Sequence, residues 1–272
     1  MDNWHGVYVS HATQLKISGI QISIDKNGSM DIGEPKTHLL TWMFIYWIEI
    51  ALEHLQQAEL AHVQLLEKWV PAEPAEGSKH LRNEFSSSMQ CINAAAIAVD
   101  AFYAAIKNAA PISEQEISRW KSNKTSRPKQ IAEVIRRSFG MKQSKVPALH
   151  QNLIELFKWR DWGVHPPADL EVPTPYPELS VSTEWRFVAY TASNARIALE
   201  FALKLIIESL SRPKDKYSDL VEICSSCRDL VSPIKATWEG LYGPLIIATV
   251  DQPRQNSSEA QHQDPADGNN DV

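Results

Sequence analysis

The pattern of apolar and polar positions changes near residue 37 and divides the chain into two kinds of structure. Before that point, β-branched residues alternate with polar ones, as in the run IQISI at 20–24, which is typical of strands. The run DKNG at 25–28 is typical of a hairpin turn, because Asn and Gly adopt positive φ angles at low cost. The pattern therefore predicts a small β-hairpin element over residues 1–36.

From residue 37 onward, apolar residues recur every three or four positions, as they do in helices that bury one broad face. Segments 71–77 and 111–130 are predicted to be connections, and the Pro-rich segment 166–177 is predicted to be extended. The predicted helices are 37–70, 81–108, 129–139, 148–162 and 185–210. Four of them are long, which predicts an up-and-down four-helix bundle over residues 37–212.

The C-terminal part of the chain follows this predicted bundle. Residues 213–250 combine a shorter predicted helix at 214–231 with an apolar run at 245–250, which indicates a buried strand able to pair with the N-terminal element. Residues 251–272 contain no aromatic or branched aliphatic residue before Val272, so a disordered tail is predicted. The expected fold class is mainly α.

Composition excludes several classes of protein. The chain has 27 Lys and Arg against 33 Asp and Glu, and its net charge of -6 argues against coating nucleic acid or membrane through bulk charge. Three cysteines are too few for a disulfide framework, and residues 1–15 lack a signal-peptide pattern, so we expect a cytoplasmic protein. The most apolar stretch, 39–52, is shorter than the roughly 20 residues of a membrane span, so we expect no membrane partner.

Common metal-binding and catalytic motifs find no support in the sequence. Di-iron bundles need two Glu-x-x-His pairs, and only Glu59 with His62 is present, which we interpret as a solvated helix face. Cys224 and Cys227 lack the second pair of ligands that tetrahedral zinc needs. Glycine-rich phosphate loops and the nucleophile elbow of hydrolases are also missing. We therefore expect no metal and no cofactor.

The end of the predicted 148–162 helix collects three chemically active side chains. Arg160, Asp161 and His165 lie close together in sequence, and Gly163 is expected to end the helix. The partial negative charge of a helix C-terminus stabilises arginine and protonated histidine there. Two interpretations stay open, an active site or a surface ion pair with His165 as a cap.

This segment resembles the HEPN family of helical-bundle proteins, whose signature is Arg-x4-6-His with a polar residue directly after the Arg. Arg160, Asp161 and His165 match this signature, and the resemblance covers residues 37–212. Many HEPN-like proteins are metal-independent endoribonucleases in toxin, phage-defence or RNA-processing roles. The resemblance therefore implies RNA cleavage, a homodimer in which the motifs of two subunits converge, and a separately encoded antitoxin or other protein partner.

The resemblance also implies a role for each matching residue. His165 is expected to exchange a proton with the ribose 2′-hydroxyl or the leaving 5′-oxygen, because imidazole titrates near neutral pH. Arg160 is expected to contact the scissile phosphate and stabilise its charge in the transition state. Asp161 is expected to orient Arg160 or His165.

Two further residues are candidates for a supporting role. Trp162 stands between the polar members of the motif, where it either crowds the phosphate or stacks on a base. Asp100 lies on an otherwise apolar helix and either reaches toward Arg160 or pairs with Lys107 or a backbone group.

A basic segment is the second feature that bears on RNA. Residues 121–145 carry eight basic residues and one acidic residue, which gives this segment a net charge of +7. Beside Trp120, such a segment is typical of surfaces that follow a phosphate backbone and stack a base, and the alternative is a solvated helix face. The residues expected to bind RNA are Lys121, Lys124, Arg127, Lys129, Arg136 and Arg137.

The sequence thus leads to one main hypothesis and one alternative. The main hypothesis is a HEPN-type, metal-independent endoribonuclease that uses Arg160, Asp161 and His165. The alternative is a non-catalytic helical bundle that serves as a protein-interaction or nucleotide-sensing module. A steep loss of RNA affinity with salt is expected only from a protein that contacts several phosphates.

Overall fold

A computed structural model shows a mainly helical chain with a small β-hairpin region near its N-terminal end. The residues it describes are 8–19, 22–24, 26–33, 36–70, 74–165 and 170–245. The predicted tail at 251–272 and all but the first residue of the predicted strand at 245–250 lie outside the described residues.

The N-terminal region is a long antiparallel hairpin. Its strands are β1 (Thr13–Ser18), β2 (Ile22–Ile24), β3 (Met30–Ile32) and β4 (Lys36–Thr41). β1 pairs with β4, and β2 pairs with β3. Both pairs share one register, because Ser18 faces Lys36 and Ile22, four residues later, faces Ile32, four residues before Lys36. Gly28 adopts a φ of 80° in the turn, as the sequence predicted for this position.

The hairpin extends farther than the sequence predicted. Residues 37–41 belong to β4, so the predicted helical start at residue 37 is wrong. Leu39 and Leu40 lie opposite Leu15 and Gln14, and their backbone groups are paired across the strands. Their apolar character favours a helix and a strand equally over so short a run, and cross-strand pairing decides the outcome.

Eight α-helices and a short 3-10 turn at Gln143–Lys145 follow among the described residues. The helices are α1 (Met43–Lys68), α2 (Pro74–Ile106), α3 (Glu114–Ser122), α4 (Arg127–Ser138), α5 (Val146–Val164), α6 (Trp185–Ala189), α7 (Ala192–Ser211) and α8 (Ser218–Tyr242). In the Pro-rich segment, Thr174–Pro175 forms an extended strand, β5, that pairs with Ser182–Thr183, β6. The extended conformation predicted there is confirmed for this described part.

One hydrophobic core joins the long helices. α1 and α2 pack along their lengths, and Ala94, Ala95, Ala96 and Ala98 of α2 are buried in this core. α5 and α7 add buried leucines such as Leu153 and Leu199. α8 belongs to the same core, because Cys224, Cys227 and Trp238 are buried in it.

Helix α3 contradicts the prediction that residues 111–130 are irregular. It has no buried residue, so it leaves no apolar periodicity in the sequence. Both of its ends are stabilised: the Ser113 hydroxyl accepts a hydrogen bond from the Glu116 N–H, acidic residues occupy the first turn, and basic residues occupy the last.

Three other predicted boundaries are wrong. α2 begins at Pro74, inside the predicted connection 71–77, because proline is well suited to a first helical turn. The predicted helix 185–210 is two helices, interrupted at Tyr190 and capped again by the Thr191 hydroxyl. α8 continues past residue 231 and accommodates Pro233 in its interior.

One described helix, Ala75–Ile106, is long and apolar enough to cross a membrane. This helix is α2, and 56% of its most apolar window is buried inside the protein. Core helices of soluble proteins share this length and composition. The stretch 39–52, the most apolar one in the sequence, is a different segment, which the structure divides between β4 and α1.

We expect Arg137 to hold α3 against α4. Arg137 donates a hydrogen bond of 2.7 Å to Glu116 of α3 and also pairs with Glu133 of its own helix. Since α3 has no buried residue, the Arg137→Met substitution should raise amide hydrogen exchange across residues 114–122 and leave α1 and α2 protected.

Arg136 supplies the matched control for this exchange measurement. It forms its ion pair with Glu133, within α4. The Arg136→Met variant should therefore leave exchange in α3 close to the wild-type rate, and an equal increase in both variants would contradict the role given to Arg137.

Candidate functional site

The C-terminal end of α5 positions Arg160. Leu149, Leu153 and Leu156 are buried at spacings of four and three, and Arg160 continues this stripe by one more step of four. Its side chain therefore lies where the core ends, and it remains 29% exposed. The guanidinium group lies 4.7 Å from the centre of the Phe157 ring.

Arg160 is paired with the neighbouring carboxylate. Its Nη2 and Nε atoms donate to Oδ1 of Asp161 at 2.6 Å and 3.0 Å. The Asp161 side chain is 55% exposed, so solvent weakens this ion pair. An anionic ligand with two oxygens can compete with a single exposed carboxylate for such a guanidinium group.

His165 caps the same helix. Its backbone N–H donates to the Asp161 carbonyl at 2.7 Å, and its side chain is exposed. α5 ends at Val164, two residues beyond the predicted end at residue 162. The three residues thus lie at one helix end, named here the Arg160 corner, with Arg160 and Asp161 in α5 and the exposed His165 directly after it.

Gly163 has a different role from the predicted C-cap. It lies within the last turn of α5, and a Cβ atom there would be 3.1 Å from the Tyr190 hydroxyl and 3.3 Å from Oδ1 of Asn93. A larger residue would have to displace these side chains by a few tenths of an ångström, so the close approach of α2 and of the α6–α7 junction favours glycine here.

Tyr190 anchors this end of α5. Its hydroxyl donates a 2.6 Å hydrogen bond to the Trp159 carbonyl, and the residue is 1% exposed. Burial raises the pKa of Tyr190 to about 12, because the charged phenolate would lose its hydration. The junction between α6 and α7 is thereby fixed to the last turns of α5.

Trp162 lies against a second tryptophan. Its ring meets Trp185 of α6 edge to face, with ring centres 5.0 Å apart. Lys158 Nζ lies 4.7 Å from the centre of the Trp162 ring, and the Arg186 guanidinium lies 5.6 Å from that of Trp185. The sequence gives no local pattern that connects Trp185 and Arg186 with the motif, because they follow His165 by 20 and 21 residues.

The structure places Asp100 in a different environment from Arg160. Its Oδ1 atom lies 3.0 Å from Nε of Arg127, and this ion pair joins α2 to the start of α4. Arg127 also lies over the Tyr103 ring. The partner of Asp100 is thus neither Arg160 nor Lys107.

The basic segment is partly neutralised within the protein. Arg136 and Arg137 donate to Glu133 and Glu116, and Arg127 pairs with Asp100. Hydrogen bonds from Arg136 and Arg137 lower the pKa of Glu133 to about 2. Three of the six residues expected to bind RNA are therefore engaged in ion pairs.

The other three basic residues lie apart from the Arg160 corner. Lys121 and Lys124 are exposed, and Lys129 lines a cleft of about 480 Å³ with Trp120 and His150. His150 precedes Arg160 by ten residues of α5, which corresponds to about 15 Å along the helix axis. The basic cleft and the Arg160 corner are separate surfaces.

A buried carboxylate lies at the same end of the bundle as the Arg160 corner. Glu84 is 1% exposed and accepts hydrogen bonds of 2.9 Å from the Tyr176 hydroxyl and from the Ala192 N–H at the start of α7. Nδ1 of His62 lies 3.1 Å from the same carboxylate. Burial, and next the proximity of Glu84, raise the pKa of Tyr176.

The sequence analysis missed this cluster, although the sequence contains a signal for it. Glu84 precedes the buried residues Ser88, Cys91 and Ala95 at helical spacings of four and three, so it continues a buried stripe. A carboxylate in that position requires partners.

The interpretation of the Glu59 and His62 pair as a solvated face is wrong. His62 contacts the buried Glu84, and Glu59 accepts a 2.8 Å hydrogen bond from the Tyr242 hydroxyl of α8. Both residues line a cleft of about 470 Å³ that also includes Asn194. The spacing of Glu59 and His62 in the sequence shows that they share a face of α1, but it does not show which residues that face contacts.

The site can be described further neither by a metal-binding cluster among the described residues nor by a known relative of the chain. Among the described residues, no group of three His, Cys, Asp or Glu side chains is arranged to hold a metal ion. Cys224 and Cys227 are buried free thiols. Comparisons with protein-family models, curated proteins and solved structures find no match to the chain.

We expect Tyr190 to make the protein sensitive to alkali. Its pKa of about 12 in the folded protein exceeds the ordinary value of 10, so its stabilising contribution is complete below pH 10 and is lost as pH rises toward 12. The Tyr190→Phe variant should lose less stability than the wild type over this range. Urea unfolding between pH 9 and 11.5 measures the difference.

The control for this series is Tyr8→Phe, because Tyr8 is 86% exposed. At neutral pH, Tyr190→Phe should lower the free energy of unfolding by about 1 kcal/mol through the lost hydrogen bond to Trp159. Parallel pH curves for wild type and Tyr190→Phe would contradict the account.

Proposed function

We propose that the chain is a metal-independent endoribonuclease of the HEPN type, with Arg160 and His165 as catalytic residues. One observation carries this proposal: Arg160 and Asp161 lie in the last turns of α5, and the exposed His165 follows the helix directly, with its backbone N–H bonded to the Asp161 carbonyl. Arginine forms paired hydrogen bonds with phosphate, and histidine transfers protons near neutral pH. These are the two functions that cleavage of an RNA backbone requires.

The proposal includes an up-and-down bundle made of α1, α2, α5 and α7. Contacts between helix ends support this direction of the chain. Glu84, near the start of α2, bonds to the start of α7, and Tyr190, just before α7, bonds to the last turns of α5. α1 and α5 therefore run toward the Arg160 corner, and α2 and α7 run away from it.

The proposed reaction is attack by the substrate on itself. His165 removes the proton from a ribose 2′-hydroxyl, and the oxygen bonds to the adjacent phosphorus. The bond from phosphorus to the 5′-oxygen breaks, this oxygen takes up a proton, and a 2′,3′-cyclic phosphate remains. Arg160 donates to the non-bridging oxygens, whose negative charge increases in the transition state.

The role of Asp161 is to position Arg160 before RNA binds. Its carboxylate contacts the guanidinium group through Nε and Nη2, the two donors that a phosphate would use. Because the 2′-hydroxyl is supplied by the RNA, the reaction needs no metal-bound water as nucleophile.

The proposed active form is a cytoplasmic homodimer with a toxin, phage-defence or RNA-processing role. The reaction needs one group to accept a proton and another to donate one. Each chain has a single His165, so a second copy that faces the same RNA would supply the second imidazole. A separate antitoxin-like protein is the expected partner of such an enzyme.

The alternative function is a non-catalytic module for protein interaction or nucleotide sensing. The ion pair between Arg160 and Asp161 favours it, because a surface ion pair alone would produce the same geometry. In that case the protein would lack ribonuclease activity although its fold is intact.

We expect the purified protein to cleave single-stranded RNA in EDTA and to leave 2′,3′-cyclic phosphate ends. Arg160→Ala and His165→Ala should each reduce the cleavage rate by about a hundredfold or more, because each removes a group that acts in the transition state. Gel analysis of end-labelled RNA and mass spectrometry of the products measure both results.

The controls are Arg228→Ala and His38→Ala, which remove the same residue types from exposed positions on α8 and β4. Both controls should cleave RNA at the wild-type rate. Absence of cleavage across varied RNAs would favour the non-catalytic module, and equal cleavage by all variants would place the activity elsewhere.

A further inference from the structure

The hairpin of residues 13–41 forms an arm that the helices leave uncovered. None of the residues in its four strands is buried. Its strand pairs run from Thr13 with Thr41 to Ile24 with Met30, so the arm is about 36 Å long at the rise of a β-strand. A two-stranded hairpin alone is only marginally stable in water, so further structure is needed to stabilise an arm of this length.

An apolar patch near the tip of the arm is named here the arm patch. Its four members share one face, because Ile22 lies opposite Ile32, Ile24 lies opposite Met30, and alternate residues of a strand point the same way. These residues are 58% to 66% exposed. The residue pair between them, on the other face, is polar. The tip of the arm is thus amphipathic, and its apolar face is open.

A second apolar patch, named the helix patch, lies on the second half of α1. Leu60, Val63 and Leu66 follow one another at spacings of three, so they share a broad face of the helix. They are 45% to 60% exposed. Leu60 follows Met43, the first residue of α1, by 17 positions, which corresponds to about 26 Å along the helix axis. Because both patches are exposed, the arm of a chain does not cover the helix patch of the same chain.

We propose that the arm patch of one copy packs on the helix patch of a second copy, which returns the same contact. A two-fold axis closes such a pair, because each patch then meets its counterpart on the other chain. The arm is long enough for this contact, since about 36 Å of hairpin exceeds the diameter of a helix, about 10 Å, several times. This inference goes beyond the proposed ribonuclease function and does not depend on it.

The apolar surface of the two patches is sufficient for a stable dimer. Burying a large aliphatic side chain removes about 100 Å² of apolar surface from water. At the exposures given above, the seven residues leave roughly 400 Å² open in each copy, and a symmetric pair covers roughly twice that area. Homodimer interfaces are about 65% apolar, so the whole interface would bury about 1,200 Å², which is the lower end of the range for specific interfaces.

The charge of the arm also favours contact with a second copy. Residues 13–41 contain three basic and three acidic residues, so this segment has no net charge, whereas the chain as a whole has a charge of -6. The seven patch residues are themselves uncharged. Repulsion between two copies is therefore weak at the arm, and high salt should not separate them, because burial of apolar surface stabilises the contact.

Light scattering of the full chain at high salt measures this assembly. One chain has a mass of 30.7 kDa, and we expect a closed species of two chains. Ile32→Lys in the arm patch and Leu60→Lys in the helix patch should each raise the dissociation constant about tenfold or more, because each places a charge in an apolar contact. The matched control is Ile197→Lys, since Ile197 is 58% exposed on α7, outside both patches, and this variant should dimerise like the wild type.

Cysteine cross-linking identifies which surfaces meet. A mixture of Ile24→Cys and Val63→Cys chains should form a disulfide between the two different variants when oxidised glutathione is added, whereas either variant alone should stay uncross-linked. The three native cysteines are buried, so they do not compete for the oxidant.

Four results would overturn the proposal. They are a mass of one chain for the wild type, a mass that grows past two chains with concentration, equal loss of dimer in Ile197→Lys, and a disulfide between two Ile24→Cys chains. Circular dichroism of each Lys variant shows whether a loss of dimer reflects loss of the fold, and Ile24→Cys with Val63→Cys tests the contact without introducing a charge.

Discussion

A single buried carboxylate organises the end of the helix bundle. Glu84 projects from α2 and meets His62 of α1, the hydroxyl of Tyr176 directly after β5, and the first N–H of α7, at Ala192. Leaving a buried carboxylate without partners costs several kcal/mol, so these four parts of the chain must come together in one arrangement. The N-terminus of α7 adds its own partial positive charge to this stabilisation.

The proposed chemistry depends on that fixed end. Glu84 bonds to the start of α7, Tyr190, two residues before that helix, bonds to α5, and the end of α5 carries Arg160 and is followed by His165. The supporting contacts are buried, whereas the reactive side chains are accessible and can change partners. In the basic segment the opposite holds, since Arg137 and its neighbours are already bonded to Glu116 and Glu133. The charge counted along the sequence therefore overstates how strongly the basic segment attracts RNA.

The sequence was sufficient where local periodicity and turn chemistry decide the structure. It predicted the hairpin turn at Gly28, the long helices and the placement of Arg160 with His165 at one helix end. Prediction from the sequence failed where contacts between distant residues determine the structure. Helix α3 has no buried face that a periodic pattern could reveal. The break before α7 depends on the hydrogen bond from the Ala192 N–H to Glu84, which lies far away in the sequence. The partners of His62 and Trp162 could not be predicted, because they come from other helices.

The free energy of unfolding of Glu84→Ala tests this account most directly. The substitution leaves the buried donors of Tyr176 and Ala192 without an acceptor, so the account predicts a loss of about 3 kcal/mol. The control Glu76→Ala removes an exposed carboxylate of the same helix, which lies 3.3 Å from His80, and should change stability by less than about 0.5 kcal/mol. Glu84→Gln, which retains one acceptor, should fall between them. Equal stability of Glu84→Ala and Glu76→Ala would contradict the claim that Glu84 organises this end of the protein.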